Sequence, residues 1–137
     1  MNLIKRTLFT FTMALATVLP NTTSAAESMT PMQYKTCITA CQECVVACES
    51  CATACLNETE VKSMVACIKL CRDCADVCSL CTQLMARDSE HAANACSFCA
   101  KLCQACSDEC AKHQMDHCQT CASICQKCAD ACKKMTK

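Results

Sequence analysis

The stretch CITACQECVVACESCATAC, from Cys37 to Cys55, spaces six cysteines at intervals of 4, 3, 4, 3 and 4. Residues three and four apart share one face of an α-helix. The spacing is therefore the a/d stripe of a heptad, with thiols where a bundle normally carries leucine. The rhythm returns in Cys67, Cys71, Cys74, Cys78 and Cys81, in Cys96, Cys99, Cys103, Cys106 and Cys110, and in Cys118, Cys121, Cys125, Cys128 and Cys132. Inside the four clusters every gap is 3 or 4, and the two alternate without a fault. A chain with this pattern is an internal repeat of a helix with one thiol face.

Turn and cap signals agree. Thr30-Pro31-Met32-Gln33 has the form of a capping box with Pro at the first helical position. Asn57-Glu58-Thr59 and Arg87-Asp88-Ser89 are breaks, with Ser89 an expected N-cap. Asp116 is expected to cap the last helix, with Gln119 three residues on. The helices predicted are about 31–56, 60–86, 90–112 and 117–135. Short connections make sequential helices antiparallel neighbours. The expected fold is all-α: an up-down-up-down four-helix bundle with a Cys-lined core. Gly is absent and Pro occurs only at Pro20 and Pro31, which discounts hairpin-rich β architecture. Val45, Val46, Ile68, Leu70, Val77, Leu80, Leu84, Phe98, Leu102 and Ile124 flank the stripes, as seam residues or as an outer patch for self-association.

Residues 1–26 have secretory signal-peptide architecture: MNLIKR is a basic start, TLFTFTMALATVL an apolar run, and NTTSAA supplies small residues for cleavage. The run is too short to span a bilayer. The expected mature domain is 27–137, exported to the periplasm and free of the membrane after cleavage near Ala26–Glu27. Ile4-Lys5-Arg6-Thr7-Leu8-Phe9 resembles a twin-arginine signal with Lys5 in place of the first arginine. Without Lys5 and Arg6 the chain keeps 11 basic against 13 acidic residues, which argues against nucleic acid as a partner. Ser, His and Asp form no nucleophilic arrangement and there is no Gly-rich phosphate loop, so a non-enzymatic role is expected.

Cysteine can pack as a small hydrophobe, but that accounts for one or two per helix, and Leu would bury more apolar area at each place. A disulfide framework suits an exported chain. The count of 21 is odd, leaving at least one thiol free, and bridges of this density exceed what a domain of this size needs. The third reading is soft-metal binding. Thiolate and thioether ligands select Cu(I), zinc and Fe–S clusters. Structural zinc wants closed sets of four ligands, and Fe–S sites usually draw their cysteines from irregular loops. A continuous ladder suits Cu(I), which accepts two or three thiolates that neighbouring ions share. Each Cu(I) that replaces a thiol proton keeps the core near neutral, which sets a capacity of roughly 20 ions. A disulfide-stapled structural protein and a zinc or mixed-metal buffer stand as the alternatives.

The export signal, four helices and Cys-x3-Cys-x2-Cys ladders facing one core resemble the bacterial four-helix-bundle copper storage proteins, specifically their exported branch. The resemblance implies Cu(I) held by core thiolates, a folded apo bundle, a homotetramer, and a mouth of Met and His at one end. A copper donor or acceptor protein is the further partner expected. Extended past the thiols, the stripes meet Met64 and Met85 on helix 2, His113 and His117 beyond Cys110, and Met135 beyond Cys132. Antiparallel topology gathers Cys55, Met64, His113, Met115, His117 and Cys118 at one end, and Met32, Tyr34, Met85, His91 and Met135 at the other. The first set is richer in soft ligands and is the expected mouth, with Met64, His113 and His117 as its ligands.

Overall fold

A computed structural model describes residues 31–136. Four α-helices follow one another: α1 Pro31–Leu56, α2 Val61–Ala86, α3 Ala92–Cys110 and α4 Asp116–Lys133, with a 3-10 turn over Lys134–Thr136. Among the described residues there is no strand. Each helix packs on its two neighbours, α1 on α2 and α4, α3 on α2 and α4, while the backbones of the diagonal pairs stay apart. This is the antiparallel bundle that the thiol stripes predict. None of the described helices is long and apolar enough to cross a membrane. The expected signal segment 1–26 and the Thr30 cap lie outside the described residues.

Two expected caps are corrected. The helix expected from Glu90 begins at Ala92, with His91 at its cap position. The Ser89 hydroxyl accepts the His91 N–H at 3.3 Å and so closes a turn before the helix. Asp88 ends α2 with φ of 50°, a left-handed conformation that a short polar side chain tolerates, and there the Ser89 N–H donates back to the Leu84 carbonyl at 3.0 Å. Asp116 is the first residue inside α4, with extended Met115 before it and no side-chain cap. Its carboxylate still complements the helix dipole. Gln119, expected to complete that cap, instead donates from Nε2 to the carbonyls of His113 at 2.6 Å and Ala111 at 3.3 Å. It thereby ties the end of α3 to the start of α4.

The heptads sort the flanks. The residue directly after a thiol that precedes a four-residue gap sits at position e, facing a neighbouring helix. Ala52, Ala75, Ala100, Ser107, Ala122 and Ala129 occupy such positions and are buried. The Ser107 hydroxyl donates to the Ala122 carbonyl at 2.8 Å, stitching α3 to α4. Of the larger flanking residues, Val45, Ile68, Leu70, Val77, Leu102 and Ile124 pack partly buried against the core and Leu84 is buried. Val46, Leu80 and Phe98 point outward, at 67%, 48% and 57% exposure.

Candidate metal centre

Every one of the 21 cysteines is buried, none more than 1% exposed. Antiparallel packing brings the four stripes into register as rungs. The first holds Cys37, Cys81, Cys96 and Cys132, with Cys37 and Cys132 Sγ 3.6 Å apart. The second holds Cys41, Cys78, Cys99 and Cys128. Cys44, Cys74, Cys103 and Cys125 form the third, and Cys48, Cys71, Cys106 and Cys121 the fourth. The fifth is Cys51, Cys67, Cys110 and Cys118. Cys55 is left over on a sixth level, where the other helices have run out of thiols.

The rungs are not separate sites. Sulfurs of successive rungs approach as closely as those within one: Cys41 to Cys132 at 3.7 Å, Cys78 to Cys103 at 3.5 Å, Cys48 to Cys125 at 3.5 Å and Cys71 to Cys110 at 3.7 Å. Thiols also meet across the diagonals, Cys44 with Cys103 at 4.0 Å and Cys78 with Cys128 at 3.8 Å. Several groups of four sulfurs lie within 4.8 Å of one another, and they overlap. Cys128 belongs both with Cys41, Cys99 and Cys132 and with Cys44, Cys78 and Cys103. Cys44 also belongs with Cys48, Cys74 and Cys125, and Cys48 with Cys71, Cys106 and Cys121.

No pairing stands out in this ladder. The cysteines are free thiols, with the closest sulfurs 3.4 Å apart against about 2.05 Å in a disulfide. Cys44 has four sulfur neighbours between 3.6 and 4.0 Å. A staple framework gives each sulfur one partner, whereas here most of the sulfurs have several at similar distances.

The thiols polarise one another. Cys44 and Cys74 are held far below the ordinary thiol range, chiefly by the hydrogen bond each shares with Cys103. Cys48 is held far above it, chiefly by its hydrogen bond with Cys106. Cys106 is drawn down to about 6, first by the hydrogen bond from Cys110. Cys118 is pushed up to about 12, first by burial and then by Cys67 and Cys55. A thiolate in this core is stabilised by protonated neighbours, and a cation spread along the ladder would replace those protons.

At the sixth level the predicted mouth ligands separate. Met64 is buried beneath the fifth rung. His117, in the first turn of α4, reaches back to α1 with Nε2 3.6 Å from the Cys55 Sγ and 3.8 Å from Glu58 Oε1. Cys55 also lies 3.9 Å from Cys67 and 3.8 Å from Cys118. His113 stands off the sulfurs, because α3 ends at Cys110 and the stripe does not continue through the turn. Its Nε2 is buried without a hydrogen-bond partner, 3.7 Å from Glu109 Oε1. An orphaned buried nitrogen fits a bound ion. Nothing in the sequence marks Glu58 or Glu109 as partners of the imidazoles, since only the fold brings them there. At the opposite end Met85 and Met135 are buried plugs, Met32 is exposed and His91 faces solvent beside Glu90. Tyr34 is raised there, first by burial and then by Asp88, with which it also hydrogen-bonds.

A sequence model of the family described as copper storage protein (Csp) matches residues 30–137. The chain belongs to the copper storage protein family. Among solved structures, a Cu(I)-bound copper storage protein is 43% identical, with a TM-score of 0.74 over 77% of this chain and 99% of its own. The apo copper storage protein 3 of Bacillus subtilis is 43% identical, with a TM-score of 0.70 over 75% and 98%. A cytosolic copper storage protein from Streptomyces lividans, determined with five coppers, is 36% identical, with a TM-score of 0.75 over 77% and 92%. No curated protein matches the chain. As a copper storage protein, the chain devotes its whole heptad seam to sulfur, and its ladder runs without interruption from the Met85–Met135 plugs to His117.

Proposed function

We propose that the bundle stores Cu(I), many ions per chain, bound by the cysteines of the five rungs and Cys55, with Met64, His113 and His117 as mouth ligands. The overlap of the four-sulfur groups at Cys44, Cys48 and Cys128 carries this reading. Structural zinc takes closed tetrahedral sets of four ligands, whereas Cu(I) ions of low coordination number suit a continuous ladder whose sulfurs neighbouring ions share. The role is binding rather than catalysis. Anaerobic titration with Cu(I) tests it. Saturation is expected near 20 ions per chain, and saturation at one or two ions refutes the reading.

Export of the chain, with residues 1–26 removed, is part of the proposal. It rests on the basic, apolar and small-residue order of that segment. An intact mass of the protein isolated from the periplasm decides it, since retention of residues 1–26 refutes cleavage. The family resemblance and the outward Val46, Leu80 and Phe98 support a homo-oligomer, a tetramer, which light scattering checks.

A further inference from the structure

The sixth level differs in chemistry from the rest of the ladder. Above it every rung is four thiols. At the sixth level one thiol, Cys55, faces an imidazole nitrogen of His117 at 3.6 Å, and that nitrogen lies 3.8 Å from the Glu58 carboxylate. His117 and Glu58 are both partly solvent-exposed, while Cys55 is sealed beneath them. Nitrogen and oxygen donors suit Cu(II), and thiolates suit Cu(I). The outermost ligands thus match the oxidised ion and the layer below matches the reduced one. Cys55 also has other thiols in reach: Cys118 at 3.8 Å, Cys67 at 3.9 Å and Cys51 at 4.0 Å. Cys51 shares its helix, and Cys118 is the nearest of the three.

We infer that this level reduces Cu(II) on its way in, with Cys55 and Cys118 as the source of electrons. Cu(II) is held by His117 and Glu58 and passes one electron's worth of oxidation to the Cys55 sulfur. A second Cu(II) takes the second electron. Two S–H bonds break, one S–S bond forms between Cys55 and Cys118, two protons leave to solvent, and two Cu(II) become two Cu(I), the balance of a two-electron thiol–disulfide couple. The event is stoichiometric: each disulfide yields two Cu(I) and no more until an external thiol reduces it. Its position limits the loss. Cys55 lies outside the four-thiol rungs, so the first four rungs keep all their ligands when the pair is spent. Reduction goes beyond storage, and a Cu(I) titration of the same protein decides storage separately.

The test is anaerobic addition of two equivalents of Cu(II) chloride to the fully reduced apo protein. The expected result is loss of the Cu(II) paramagnetic signal, retention of two Cu(I), loss of two thiols, and a Cys55–Cys118 disulfide in peptide mapping. C55S, its fold verified by circular dichroism, is expected to slow the first phase of signal loss by about tenfold or more. A persistent Cu(II) signal overturns the inference. So does a wild-type disulfide mapped elsewhere, a result that does not depend on the variant folding, and so does an unchanged rate in C55S.

Discussion

If ions travel along the ladder, removing one rung should divide the core into two compartments. The perturbation is Cys→Val at Cys44, Cys74, Cys103 and Cys125, the third rung, which keeps the core filled with side chains of similar volume. Sulfurs on adjoining rungs approach to between 3.5 and 4.0 Å. A metal–thiolate bond is about 2.3 Å, so one ion bridges sulfurs up to about 4.6 Å apart. A bundle heptad advances about 10 Å and carries two rungs, so each rung is about 5 Å of axis. With the third rung gone, the second and fourth face one another across about 10 Å of hydrocarbon, twice what a bridging ion spans. The eight thiols beyond the gap, Cys37, Cys41, Cys78, Cys81, Cys96, Cys99, Cys128 and Cys132, are then cut off from the His117 end. Copper uptake, followed anaerobically by transfer from a chromogenic Cu(I) chelator, is expected to become biphasic. A fast phase fills the sulfurs nearest His117, and a slow phase, or none, fills the eight. Capacity at equilibrium falls by about four if copper and thiol bind one to one. Filling of the eight at the wild-type rate refutes the idea of a single mouth, and shows that ions reach the far rungs by the Met85–Met135 end or through a seam between helices.

Other perturbations address the mouth, the seams and the thiol equilibria. The triple variant M64A/H113A/H117A should slow Cu(I) uptake while removing few ions from the total, as read by the same transfer assay. Ala129→Leu forces a larger side chain into a fully buried seam position and should cost about 1–3 kcal/mol. Thermal unfolding of the apo protein should register this as a fall of roughly 4–8 °C per kcal/mol. Cys118 is raised to about 12 by burial and its thiol neighbours. The unfolded chain therefore ionises this thiol first, so its contribution to stability is present below the ordinary thiol pKa and is lost as pH rises toward about 12. Denaturant midpoints of the apo protein should fall over that window. The melting temperature should rise on Cu(I) loading and return on chelation, because a ligand bound only by the folded state stabilises it.

The helices and the rungs were legible because one residue type marks the seam in each of the four segments. A leucine seam would give the same helices with less certain register, since Leu also occurs off the seam, whereas every cysteine here is on it. What the spacing could not carry was geometry created by loops. Ser89 and Asp116 have cap chemistry, yet the backbone enters α3 and α4 two residues later and one residue earlier than that chemistry implies. His113 continues the arithmetic of the α3 stripe, but the helix has ended, and its imidazole turns toward Glu109 instead of sulfur. His117 reaches Cys55 only because α4 starts at Asp116 and swings its first turn toward α1. The buried alanines at the e positions carry no signal of their own, since Ala is too common on helices to mark a seam without knowledge of which flank faces a neighbour.

Those alanines also explain how a core can be surrendered to metal ligands. A bundle normally draws its stability from large apolar residues at a and d. Cysteine at those positions buries less apolar area per residue than leucine would. Here the contacts that hold helix to helix have moved outward, to Ala52, Ala75, Ala100, Ala122 and Ala129, the Ser107–Ala122 hydrogen bond, and the partly buried Val45, Ile68, Leu70, Leu102 and Ile124. Small residues on the flanks let neighbouring helices approach closely. That approach sets the sulfurs 3.4 to 4.0 Å apart across the axis. At that spacing the sulfurs are not bonded to one another, and one ion can touch sulfurs of two helices. The seams therefore both replace the missing leucines and tune the ladder. Enlarging a seam residue should change copper affinity as well as stability, through the distance between thiols that the substitution never touches.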